Sequence, residues 1–382
     1  SSLSHNFFCS SLWFAGNAIL NDVGKDLNLA PQFLAHVTSA IQFGFIAGTL
    51  LFAVFTISDR FSPSKVFFSS AILAALFNLG ISMDHVSPNE ILLYRFLTGF
   101  FLAGIYPVGM KIASDYYQAG LGRSLGFLVG ALVLGTAFPH LLKSVTMGFH
   151  WKYVLYATSS LSIIGGLCIL FFVPNGPYRK QGQKLRLTEF LMGFRLPDFR
   201  SASFGYFGHM WELYTFWAFV PVMITTYKIH HDAININIPL LSFFVIALGG
   251  VACVLGGILS QYLGVKRVAS VALFLSCLCC IASPLFLFSD SAIVFISFLF
   301  FWAMVVIADS PLFSTLVAQS APVQARGTSL TIINCIGFSI TILSIQFISI
   351  LSEKISPQYI YMLLAIGPAL GLIALVRSWE KK

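Results

Sequence analysis

Apolar residues along this chain come in long unbroken runs, and short clusters of turn-forming and charged residues separate the runs. A membrane-spanning helix needs about 20 mostly apolar residues. Twelve segments meet that pattern, at roughly 1–20, 33–57, 66–83, 91–113, 124–142, 151–173, 201–225, 238–260, 268–288, 292–316, 328–350 and 358–376. The breaks carry such strings as NDVGKD, SDRFSPSK, MDHVSPNE and LSEKISP. The longest break covers residues 174–200, in the middle of the chain. The pattern predicts an all-α integral membrane protein of twelve transmembrane helices, with an N-terminal six-helix bundle over 1–173, a linker over 174–200 and a C-terminal six-helix bundle over 201–382. Inside the linker, LTEFLMGF reads either as a short amphipathic helix on the membrane surface or as a plain loop.

The two halves also repeat. At an offset of 204, His5 falls on His209, Trp13 on Trp217 and Pro107 on Pro311; an offset of 202 carries the loop at Asp59 onto the loop at Gln261. A duplicated set of six hydrophobic segments predicts a secondary transporter with its site between the halves.

Composition strengthens the membrane reading. Of the 382 residues, 57% are hydrophobic and 9% charged, against about 25% charged in soluble domains. The seven Cys all lie in apolar runs, show no zinc spacing and read as small core residues. The chain has no initiator Met and opens inside an apolar run, so its natural N-terminus is expected upstream. The net charge of +8 follows topology rather than nucleic acid. With the N-terminus and linker on the cytoplasmic side, fifteen of the 22 Lys and Arg fall inside, five outside, and Arg95 and Lys111 within the membrane.

The loop between the eighth and ninth segments carries Gly257, Gln261, Gly264, Lys266 and Arg267. It resembles the signature loop of the major facilitator superfamily, with Gln261 and Tyr262 in place of the acid and first base. The loop between the second and third segments keeps the other part, Asp59-Arg60 and Lys65, while Phe55 and Ser62 replace its glycines. Arg95-Phe-Leu-Thr-Gly99 is similar to the family's Arg-x-x-x-Gly pattern in the fourth helix. The resemblance spans the chain and implies the two-bundle fold and alternating access. It implies that Asp59, Arg60, Lys65, Gly257, Gly264, Lys266 and Arg267 form a conformational latch. It also narrows the cargo. The second and eighth segments contain no Arg, unlike nitrate carriers, and Ala131 follows Gly130 where the family's antiporters carry Gly-Pro.

Charges inside a bilayer cost about 2.5–3.5 kcal/mol each on insertion scales, so each needs a reason. Glu212 lies eleven residues after Ser201, about 16 Å into a core about 30 Å thick. His209 is one turn earlier on the same face, and the two read as a proton relay. Asp309 precedes Ser310-Pro311, where Pro loosens the helix. The equivalent Ile105-Tyr106-Pro107 repeats the Pro but lacks the acid. Glu212, His209 and Asp309 are therefore the proton-coupling candidates; the alternatives are a structural carboxylic acid hydrogen-bonded between helices for Glu212 and a helix-packing hydrogen bond for Asp309. Arg95 either snorkels outward or points inward to an anion or proton site. Lys111 and Asp115, four apart, form a surface pair or give Lys111 to the substrate. Arg95, Trp13, Trp211, Tyr214, Trp217, Tyr106 and Lys111 make up the candidate substrate cavity, with Trp13 and Trp217 able to stack on an organic solute. His140 reads as interfacial. With the acids confined to one half, the N-terminal half reads as a hydrophobic wall.

These features predict a proton-coupled secondary transporter for a small amphipathic or charged organic solute, acting as a monomer in a bacterial inner membrane. No phosphate-binding loop points to ATP, no His-Glu-x-x-His points to a membrane protease, and no cofactor or metal is expected. A transporter-like sensor without flux and a multidrug exporter are the alternatives.

Overall fold

A computed structural model describes residues 8–116, 121–146, 149–174, 176–177, 185–231 and 236–377. Among them the structure is helical, with no strand: α1 (Ala15–Asp26), α2 (Phe33–Val54), α3 (Ile57–Arg60), α4 (Pro63–Gly80), α5 (Pro88–Leu102), α6 (Tyr106–Tyr116), α7 (Leu121–Val145), α8 (Lys152–Phe172), α9 (Leu187–Gly193), α10 (Pro197–His230), α11 (Ile238–Leu263), α12 (Val265–Phe286), α13 (Ala292–Ala308), α14 (Ser310–Ser320), α15 (Arg326–Leu351) and α16 (Ile366–Arg377). Among the described residues, eight helical spans are long and apolar enough to cross a membrane by length and composition. The chain divides into two compact units, Ser1–Lys184 and Leu185–Lys382.

Local chemistry sets the starts and stops. Pro63, Pro88 and Pro197 open their helices at N1, where the missing N–H is no loss. Ser87 and Glu90 close a capping box on α5, with Glu90 N–H donating to Ser87 Oγ at 3.3 Å and Ser87 N–H to Glu90 Oε2 at 2.7 Å. Asn237 caps α11 by accepting from Leu240 N–H at 3.1 Å. Between α11 and α12, Gly264 has φ +86, a conformation that favours glycine.

Several predicted spans are really two pieces. The fourth breaks at residues 103–105 and the tenth at Asp309, each just before a Ser- or Tyr-Pro pair that starts the next helix. Pro can open a helix but not continue one, so the expected kink becomes a stop and restart. The first span breaks over residues 11–14. The seventh, expected over 201–225, instead runs 34 residues from Pro197 to His230, about 51 Å. It therefore begins inside the expected linker, as does α9, the helical alternative for LTEFLMGF.

In the first unit α2 packs on α5 and α4 on α8. Gly44 and Gly99 permit the first contact. A Cβ on Gly44 would lie 1.9 Å from Phe96 O, and one on Gly99 1.9 Å from Ile41 O. In the second unit α10 packs on α15 and α16, and α11 on α13.

Candidate functional site

The candidate ionisable groups lie deep inside the two units. In the second, Glu212 is 1% exposed, near the middle of α10. Ser276 Oγ on α12 donates to its Oε2. Trp302 Nε1 on α13 donates to Oε1 at 2.6 Å, and Cys280 Sγ on α12 to Oε1 at 3.2 Å. All three donors are buried. Three donors on two oxygens hold the carboxylate firmly, and they tie α10 to α12 and α13.

His209 does not share those partners. Its Nδ1 lies 2.8 Å from Asp309 Oδ1, ion-pair distance, with both side chains 1% exposed. Neither Asp309 oxygen sits in a hydrogen bond of regular geometry, and His209 Nε2 has no hydrogen-bond partner. The ring stands between Tyr206 and Phe313, with centroids 6.2 and 6.1 Å away. The one-turn spacing thus puts His209 beside Glu212 on α10, while the structure joins His209 to the acid at the α13–α14 break.

The first unit has a polar core of its own, which corrects the reading of a hydrophobic wall. Arg95 is fully buried and points inward, so the snorkelling alternative fails. Its Nη1 donates to Leu12 O at 3.1 Å and Asn78 Oδ1 at 3.4 Å, and its Nη2 to Trp13 O at 2.5 Å. The break over residues 11–14 frees these carbonyls from the helix ladder, and the guanidinium fork caps them. Gly16 leaves the room, since a Cβ there would lie 2.9 Å from Arg95 Nε. Asn78 extends the network, donating to Thr158 Oγ1 at 3.3 Å and Ser159 Oγ at 3.0 Å. His140, near the end of α7, is 2% exposed.

The aromatic candidates divide by surroundings. Trp13 meets Phe45 edge-on at 5.0 Å. Trp217 is 1% exposed and meets Tyr214 at 5.3 Å, while Tyr214 meets Phe338 at 5.1 Å. Trp211 is half-buried. Its Nε1 donates to Leu363 O at 3.3 Å, and its ring lies 5.8 Å from Phe347, so it joins α10 to the last two spans. Tyr106 and Lys111 are half-buried on α6, and Asp115 is buried one turn beyond Lys111.

Among the loop residues, Arg60, Lys65 and Arg267 are exposed and Lys266 half-buried. A Cβ on Gly257 would meet nothing within 4 Å, so this glycine serves no close approach; Gly264 serves its positive φ. The side chain of Asp59, and His5 of the repeat, lie outside the described residues.

Four partners escaped the sequence reading: Asn78, Ser276, Cys280 and Trp302. The repeat held a signal for one pair. The offset of 202 that aligns α4 with α12 sets Asn78 on Cys280, and each touches its unit's buried charge. Gln42 was also missed; it is fully buried on α2 with neither amide atom hydrogen-bonded.

Residues 2–345 match the Major Facilitator Superfamily, and the chain belongs to that family of membrane proteins. It is 23% identical over 181 residues to a bicyclomycin resistance protein homolog of Haemophilus influenzae, covering 46% of this chain and 44% of that protein. It is 32% identical over 151 residues to the niacin transporter NiaP of Acinetobacter baylyi, covering 36% and 31%. A galacturonate transporter of Dickeya chrysanthemi is 30% identical over 114 residues, covering 29% and 32%. Each match spans less than half of the relative's length. The family agrees with the expectation of a membrane protein that is not an enzyme.

Proposed function

We propose that this protein is a secondary active transporter that moves a small organic solute by alternating access and couples the movement to protons. The observation that carries the reading is the group of buried ionisable side chains in the second unit, Glu212, His209 and Asp309. Carboxylates and an imidazole in a lipid-embedded core are expensive and serve ion or substrate pathways. Family membership and the duplicated architecture support alternating access. Relatives named for niacin and galacturonate favour a small organic solute. The solute-contact candidates are Trp13, Arg95, Tyr106 and Lys111 in the first unit, and Trp211, Tyr214 and Trp217 in the second.

The charge asymmetry of the sequence supports a cytoplasmic N-terminus and linker in an inner membrane, with Asp59, Arg60, Lys65, Gly257, Gly264, Lys266 and Arg267 as the latch of one conformation. The relative named for bicyclomycin resistance favours a second reading, in which the same machinery exports its solute.

The test is reconstitution in proteoliposomes with a panel of organic acids, amines and amphipathic drugs, each with and without a pH gradient. Accumulation that follows the gradient is expected, and its direction separates uptake from export. Binding of panel compounds without flux under any gradient would replace the transporter by a sensor.

A further inference from the structure

Two acids are buried in the second unit, and their surroundings are opposite. Both oxygens of Glu212 are occupied, Oε2 by Ser276 and Oε1 by Trp302 and Cys280. The indole N–H of Trp302 is a donor only and cannot pass a proton onward. Glu212 also sits mid-way along an unbroken helix. Asp309 stands at a helix break, and His209 Nδ1 at 2.8 Å is its one ion-pair neighbour among the described residues. Both its oxygens lack regular hydrogen bonds, and so does the far ring nitrogen of His209.

One acid has a donor on each oxygen and is tied to two other helices. The other belongs to a pair whose far ring nitrogen has no hydrogen-bond partner. An imidazole with one nitrogen on a carboxylate and the other vacant can accept a proton at one and release it from the other.

Among the described residues no Lys or Arg pairs with it. The Lys and Arg of the helices packed around it, Arg200, Lys228, Lys266, Arg267, Arg326 and Arg377, occupy positions at or near helix ends. Titratable neighbours of the pair include Tyr206 and Glu212 on α10 and Cys253 on α11; α15 adds Cys335, and α12 adds Cys277, Cys279 and Cys280. The Cys253 thiol is turned to the Ile307 carbonyl at 3.5 Å.

We infer that the His209–Asp309 pair holds the coupling proton and that Glu212 is a positioning residue fixing α10 against α12 and α13. In the loaded pair the proton lies between His209 Nδ1 and Asp309 Oδ1. It enters and leaves through His209 Nε2, and no bond other than N–H or O–H changes. The inference rests on the proton-coupled reading above.

Infrared difference spectroscopy of the full chain in liposomes, titrated over pH, tests the division without a known solute. The wild type is expected to show a titrating buried carboxyl or imidazole signal. That signal should be lost or moved in Asp309→Asn and in His209→Gln, and keep its midpoint and amplitude in Glu212→Gln. If Asp309→Asn does not fold, Asp309→Glu keeps the acid and must move the midpoint. A signal lost in Glu212→Gln, with or without loss in Asp309→Asn, overturns the division and leaves proton coupling standing. A wild type with no such titration overturns the proton-coupled reading and the division with it.

Discussion

In the first unit the fully buried Arg95 sits on the fourth span; in the second the buried Glu212 sits on the first span. Both sit where the first, third and fourth spans of their unit meet. Arg95 reaches carbonyls of the first span and Asn78 of the third. Glu212 accepts from Ser276 and Cys280 of the third and Trp302 of the fourth. The repeat places Phe8 opposite Glu212 and Leu299 opposite Arg95. The junction is thus shared by both halves, while the sign of its charge and the helix that supplies it are exchanged. What differs is the state of the first span. It is broken in the first unit and exposes carbonyls that need a cation; it is continuous in the second and has none to spare. The second unit adds a separate buried ionisable pair, His209 with Asp309.

Removing the cation should have the largest effect. Arg95→Leu leaves the carbonyls of Leu12 and Trp13 and the Asn78 amide without their donor, and each buried orphan costs about 1–3 kcal/mol. A clear loss of thermal stability in detergent is expected. Arg95→Lys should recover part of it, because one ammonium cannot reproduce the fork. An unchanged unfolding midpoint in Arg95→Leu would show that the broken span does not need the cap.

Glu212 offers the matching test with a smaller effect. Glu212→Leu orphans the Trp302 N–H and the Ser276 hydroxyl, so a loss on the order of 1–3 kcal/mol is expected. Glu212→Gln keeps an acceptor for Trp302, and the Ser276 hydroxyl can turn to accept, so its loss should stay near 1 kcal/mol or below. If Gln proves as damaging as Leu, the negative charge itself holds the three helices, and the likeness to Arg95 is closer than hydrogen bonding alone makes it.

Cys280 and Asn78 occupy the same register and can be compared directly. Cys280→Ala removes a weak thiol donor and a small volume, and a loss of about 1 kcal/mol is expected. Asn78→Ala removes a bridge between Arg95 and α8, and should cost more. Equal losses in the two variants would show that the third span contributes packing alone in both units.

The fold was legible because lipid imposes a simple rule: every span must be apolar and helical. Pro311 and Pro107 showed where spans weaken, and the repeat showed that both halves weaken alike. The site was legible residue by residue but not pair by pair. Spacing on α10 put His209 and Glu212 on one face, yet it carries no record of what the facing helices present. The join of His209 to Asp309 is a contact across 100 residues of chain. Arg95 illustrates the same limit. Its depth left snorkelling open, because the carbonyls that draw it inward exist only once the first span breaks. Cys280 read as inert core, since nothing in its own run distinguishes a packing thiol from a donor.

The smallest effect sits where spans emerge into loops. Lys152 Nζ meets Asp84 Oδ1 at 2.7 Å, with 84% of the Asp84 side chain exposed. The hydrogen bond and charge of Lys152 hold the Asp84 carboxyl below its ordinary value. A depressed folded-state value means the contribution is present above the ordinary carboxylate range and is lost as pH falls through the depressed value. Exposure and salt keep it small. Unfolding midpoints of wild type and Lys152→Met should therefore differ slightly near neutral pH at low salt and converge in acid or high salt. A difference that survived acid would place the role of Lys152 elsewhere, over the Trp151 ring at 5.9 Å. The loop ends of the first unit also hold the Asp22–Lys143 pair and the Trp151–Asp26 bond, whereas the second unit's His231–Asp290 pair is looser at 3.7 Å. Lys152→Met should consequently matter less than the buried substitutions in either unit, since the clasps around it remain in place.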